Sequence, residues 1–212
     1  MTRNRGIRQL VVAVTVVLLG CASLATAGPI AGGVDALPGF YGSRSYSYTA
    51  GGDTLTADVD FAVYAPLAYP GSGSSFGADY VYAYQIFNSA LSTVDVSFFS
   101  VGLESGAIAR NAGEDASAGA PGQSGGQSPW MAIVGSTSVY WLFDPGVPVG
   151  GHSTTLLFTS PYGPTWKSGA LADGGLPTPG SGLLPSPTPE PATMALVALG
   201  GAATLIRRRR GK

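Results

Sequence analysis

The sequence predicts an all-β protein: an antiparallel sandwich of immunoglobulin-like or jelly-roll order, flanked by an N-terminal signal helix and a short C-terminal transmembrane helix. Three observations carry the β assignment. Apolar residues alternate with polar ones over short runs, which is the period of a half-buried strand. Each run is bounded by glycine, proline, asparagine or aspartate, and the chain holds 32 glycines and 16 prolines. No stretch between the two ends keeps a helical period. An aromatic content of 10% separates this turn-rich composition from that of a disordered chain.

Within residues 28–173, the expected domain, the strands read off in order. In TADVDFAVYAP, Val59, Phe61 and Val63 point one way, while Asp58, Asp60 and Tyr64 point the other. DYVYAYQIFN is aromatic and β-branched on both faces, as a central strand requires. STVDVSFFSVGL, WMAIVG, VYWLFD and STTLLFTS follow. Six to nine such strands suit a sandwich, and the segment is long enough to bury a core. Two stretches lack this pattern. Residues 105–129, SGAIARNAGEDASAGAPGQSGGQSP, read as a flexible loop. Residues 174–188, rich in proline, serine and glycine, read as an extended, solvated linker.

Charge is segregated. Eight of the 11 basic residues lie near the two ends, and between Gly28 and Gly175 only Arg44, Arg110 and Lys167 face eleven carboxylates, a net charge of −8. Phosphate binding needs clustered cations, so nucleic acid is excluded as a partner. The lone cysteine, Cys21, rules out an intramolecular disulfide.

Residues 1–27 read as a signal peptide: a basic start, an apolar run from Leu10 to Leu19, then Ala25-Thr26-Ala27 for signal peptidase. A rival cut exists, because Leu18-Leu19-Gly20-Cys21 has the form of a lipobox that would leave a lipidated Cys21. At the other end, Ala192 to Ile206 is uncharged and spans roughly 22 Å as a helix, short of the ~30 Å hydrocarbon core. Arg207, Arg208, Arg209 and Arg210 then act as a stop-transfer signal and hold that side in the cytoplasm.

Pro189-Glu190-Pro191, the apolar span 192–206 and the arginine cluster, in that order over residues 189–212, resemble the PEP-CTERM sorting signal. The resemblance implies recognition near the Pro-Glu-Pro triplet by exosortase, a membrane cysteine protease of exopolysaccharide-producing Gram-negative bacteria. It implies removal of the tail after export, and a location first on the inner membrane, then at the cell surface or in the extracellular matrix. YVYAYQIFNSALSTVDVSFFSVGL and VYWLFDPGVPVGGHSTTLLFTSPYGP further resemble the extracellular domain that often precedes this tail, with extra residues at Pro148–Ser153.

Sites for chemistry are sparse. His152 is the single histidine, and a hydrolase would need it with a serine such as Ser153 and an acid such as Asp144. No G-x-S-x-G elbow accompanies it, so an exposed turn histidine is expected. Asp53, Asp58, Asp60 and the Glu114-Asp115 pair lack the spacing of a calcium loop, and no metal or cofactor is expected. Tyr46 and Tyr48 share a face, as do Tyr80, Tyr82 and Tyr84. Such rings either stack on sugars or fill one sandwich layer. The sequence therefore points to a non-enzymatic surface protein with a structural or adhesive role beside exopolysaccharide. A carbohydrate-binding module using the tyrosine face, and an extracellular hydrolase, are the alternatives.

Overall fold

The structure, a computed structural model, describes residues 30–71, 76–117, 119–173 and 178–189. The expected signal helix, with Ala25 and Ala27, and the expected transmembrane helix, with Arg207 to Arg210, lie outside these residues. Among the described residues no helix is long and apolar enough to cross a membrane. In the described residues a 3-10 turn, Ile30–Gly32, precedes ten strands: β1 (Ala36–Ala50), β2 (Asp53–Tyr64), β3 (Tyr80–Asn88), β4 (Val96–Gly102), β5 (Arg110–Asp115), β6 (Met131–Val134), β7 (Ser138–Val147), β8 (Thr155–Ser160), β9 (Pro164–Ala172) and β10 (Thr178–Pro187). They form two five-stranded sheets, ordered β1-β2-β3-β8-β5 and β10-β9-β4-β7-β6. Every described pairing of these strands is antiparallel.

The sheets pack face to face over one core. Val59, Phe61 and Val63 of β2 point into it, as their alternation requires, and meet Phe99, Val101 and Trp141 from the other sheet. Rings dominate the core: Tyr82 stacks on Phe158 at 4.8 Å within one sheet, Phe99 stacks on Trp141 at 5.5 Å within the other, and Tyr84 meets Phe99 edge-on at 5.7 Å across the two. The pairs β3–β8 and β4–β7 are nested in sequence and lie one in each sheet, so the chain crosses between the sheets after β3 and again after β7. Strands β2 and β6 stay beside the strands that follow them, β3 and β7.

The outer side of β2 and β3 is covered as well. Tyr64, expected on the polar face, is 1% exposed in a second cluster with Ile30, Ala62, Tyr69, Val81, Ala83 and Leu157. Asp60 is also buried, whereas Asp58 stays exposed and accepts a hydrogen bond from Ser45 Oγ at 2.5 Å.

Two segments differ from their sequence reading. Residues 105–129 hold β5, which pairs with β8, and the chain after it is pinned to the sheet rather than free. Gln85, wholly buried on β3, donates to the carbonyls of Gln123 (2.7 Å) and Ser153 (2.8 Å) and accepts from Gln123 N (2.8 Å). Gln127 and Thr154 exchange further backbone bonds with their neighbours. Glycine-rich composition conceals such stitching, because it runs through the backbone.

Residues 178–187, expected within the solvated linker, form edge strand β10 on β9, in register from Thr178↔Leu171 to Pro187↔Pro164. Leu184 and Ser186 are fully buried, and Ser186 Oγ donates to Gly102 O at 2.6 Å. Prolines are compatible with this place. An edge strand needs N–H donors on one side only, and the fixed φ of proline lies within the β region. A bulge between Pro179 and Leu183 bends the edge against β1, where Tyr46 OH donates to Gly182 O at 3.3 Å.

Candidate functional site

The candidate site is the place where the chain leaves the domain. All even-numbered strands, including β10, end at one pole of the sandwich, and β3, β7 and β9 begin there. At that pole the chain stays attached past Pro187. Thr188 N donates to Gly163 O at 3.0 Å, in the turn between β8 and β9. The ring of Pro189 lies over Gly106, 3.6 Å from where a side chain there would begin. Two buried tyrosines stiffen the approach: Tyr84 OH donates to Pro185 O, and Tyr82 OH donates to Tyr162 O at 2.8 Å. The first residue of the Pro-Glu-Pro triplet is thus part of the folded surface. Glu190 and Pro191 lie outside the described residues. Sequence reasoning missed Gly106 and Gly163 as anchors, because their role is backbone proximity and leaves no side-chain signature.

The other candidates fare differently. Tyr82 and Tyr84 are 0% and 1% exposed in the main core, and Tyr80 is half-buried against it, so the tyrosine face is not a ligand platform. Periodicity identified the shared face correctly but could not say that it points inward. Burial raises the Tyr82 and Tyr84 hydroxyls well above their ordinary range, so both stay protonated donors. Tyr46 is buried too, and Tyr48 stands at the surface.

His152 is half-buried rather than exposed. It stacks on Phe87 at 5.8 Å, with Nε2 3.4 Å from Ser124 O. Ser153, its neighbour, is wholly buried; its Oγ donates to Thr154 O at 2.7 Å and accepts from Ile86 N at 3.0 Å. That hydroxyl is committed to the backbone and is shielded from any substrate. Asp144 is exposed on β7. Asp115 is buried, accepting from Tyr69 OH at 3.1 Å and from Ser117 N at 2.9 Å. Glu114 accepts from Thr154 Oγ1 at 2.5 Å. Beside them, Gln123, Ser124, Thr154 and Thr155 line a recess of about 10 Å³, room for one water molecule. Among the described residues no group of three or more histidine, cysteine, aspartate or glutamate side chains is placed to hold a metal ion.

The surface that remains open is polar. On the outer side of the β1–β2 hairpin, Ser47 and Thr56 lie 3.3 Å apart and Thr49 and Thr54 3.0 Å apart. With Ser43, Ser45 and Asp58 they form a polar strip, exposed along β1 and half-buried at Thr54 and Thr56.

A folded β domain running without a spacer into Pro-Glu-Pro, an uncharged span and a basic cluster defines a membrane-tethered sorting substrate. The family model described as the PEP-CTERM protein-sorting motif matches residues 187–210, beginning on the last residue of β10. The chain carries that motif and is in this sense a PEP-CTERM protein, which implies export, a membrane-anchored precursor and exosortase as the processing partner. No curated protein and no solved structure matches the chain.

Proposed function

We propose that the protein is an exosortase-sorted component of the cell surface or extracellular matrix, whose β domain plays a structural, adhesive part beside exopolysaccharide. It acts by binding and not by catalysis. After signal peptidase and exosortase have acted, the domain is released with β10 still in place. The observation that carries this reading is the junction itself: the sorting motif opens on a strand of the fold. The cargo is therefore the sandwich, and the polar strip along Ser43, Ser45, Ser47, Thr49, Thr54, Thr56 and Asp58 is the surface it offers. Hydroxyls both donate and accept, and so match the hydroxyls of a neutral polysaccharide. The domain's surplus of carboxylates disfavours acidic polymers.

The test is co-sedimentation of the secreted protein with neutral exopolysaccharide. The protein should pellet with the polymer, and Ser45→Ala, Ser47→Ala and Thr56→Ala together should weaken that retention without unfolding the domain. A wild-type protein that stays in the supernatant contradicts the binding role.

A further inference from the structure

The spacing between the fold and the sorting tail limits where the domain can sit while it is still anchored. Pro189 is held at the pole of the sandwich, and the uncharged span begins at Ala192. Three residues reach at most about 10 Å when fully extended. The pole therefore lies within that distance of the bilayer as long as the tail is attached.

Three loops and one strand end at that pole each expose a large apolar side chain. Val34 (74% exposed) stands just before β1, and Leu67 (83%) stands in the turn that follows β2. Ile108 (42%) belongs to the segment whose carbonyl accepts from Ser160 Oγ at the end of β8, and Val134 (40%) closes β6. Two carboxylates there are already paired, Asp79 with Arg110 at 3.7 Å and Glu104 with Lys167, so little uncompensated charge opposes contact with lipid. Among the described residues Asp35 is the exposed exception, and in the sequence Glu190 adds one carboxylate between Pro189 and the uncharged span.

We infer that, in the anchored precursor, this pole is a membrane-seating surface: Val34, Leu67, Ile108 and Val134 rest in the lipid interface and hold the domain against the bilayer until the tail is cut. Apolar side chains on loops bind the headgroup region weakly when alone, and a tether that keeps them at the surface makes the weak contact persistent. The surface thus serves the bound state and lets go after release. The inference rests on the reading of residues 187–210 as a membrane-anchoring sorting motif. The opposite pole supplies an internal control. It also exposes apolar side chains, Leu91, Trp130 and Val149, but lies roughly 30 Å away, the length of the central strands.

The test uses the anchored form, made in an exporting bacterial host that lacks exosortase and reconstituted in phosphatidylethanolamine–phosphatidylglycerol vesicles. In a Cys21→Ser background, single cysteines replace Leu67, Ile108, Leu91 or Val149 and carry a polarity-sensitive fluorophore. Labels at 67 and 108 should shift to the blue and lose intensity to quenchers attached to the lipid headgroup region. Labels at 91 and 149 should do neither, and all four variants should keep the parent's unfolding midpoint. Equal behaviour at the two poles, in protein that floats with the vesicles, overturns the seating surface alone. Protein that fails to float overturns the anchoring reading beneath it.

Discussion

Leu183 and Leu184 are adjacent residues whose replacement should have opposite consequences. Leu184 is 0% exposed in the main core and packs onto the backbone of Gly169, while Leu183 is 51% exposed on the outer side of the same strand. Leu184→Ala removes three carbon groups from the interior, a transfer loss of roughly 2.4 kcal/mol at about 0.8 kcal/mol each, before any residual cavity is counted. Core Leu→Ala changes cost about 2–5 kcal/mol. An edge strand can relax into part of the void, so about 2–3 kcal/mol is expected here. For a domain of this size that is a fall in Tm of roughly 5–10 °C. Leu183→Ala should stay within about 0.5 kcal/mol. The assay is urea unfolding followed by tryptophan fluorescence, with thermal unfolding by circular dichroism alongside. Both residues lie in the stretch that composition alone assigns to a solvated linker, for which the two substitutions would be equally silent. Equal, negligible effects would refute β10 as a strand of the fold.

Other perturbations probe the remaining structure. Gly126→Ala would drive a methyl group into the backbone of Ser153 and His152, so it should destabilise by at least about 2 kcal/mol and open residues 116–129 to limited proteolysis; an unchanged digestion pattern would mean that the segment is not pinned. Trp141→Ala, which empties a wholly buried site and removes the 2.9 Å bond to Gly113 O, should cost about 3–5 kcal/mol by urea unfolding. Alkaline pH should unfold the domain cooperatively. Burial pushes the Tyr46 hydroxyl up to about 12, with Arg44 pulling weakly the other way, and it raises Tyr64, Tyr69, Tyr82 and Tyr84 as well. Their stabilisation is complete below the unfolded value near 10 and is lost as pH rises through the folded values. Each such group removes about 1.4 kcal/mol per pH unit above 10, so five together exhaust a stability of about 5–15 kcal/mol near pH 11–12. The share of tyrosinate absorbance that belongs to these five of the ten tyrosines should appear in one step together with the loss of circular dichroism; absorbance of all ten reached with the fold intact would contradict the burial of these rings.

The strands with strict alternation were legible because Val59, Phe61 and Val63 can share a face only in a period of two. Alternation puts the tyrosines of β3 on one face, yet nothing in a single strand says which face another sheet will cover. Tyr64 reads as polar-facing because the residues that bury it, Ile30 and Tyr69, come from irregular segments with no period of their own. Pro185 and Pro187 read as an extended spacer since proline takes the same φ in polyproline II as at a sheet edge, and only the pairing partner β9 distinguishes the two. The sorting motif was legible for the opposite reason: its recognition depends on a contiguous order of residue types, and Pro189-Glu190-Pro191 stands in the chain itself. The anchoring of its first residue to Gly106 and Gly163 depends on distant backbone, and only the folded structure displays it.

Intact-mass measurement of the protein released by an exosortase-positive host tests the central claim most directly, that a sorting tail is cut from a domain that keeps its last strand. The mass should place the new C-terminus after Pro187 and before Arg207, so that β10 is retained and the four arginines are gone. A released species that still carries Arg207 to Arg210, or one that ends before Leu184, would contradict it.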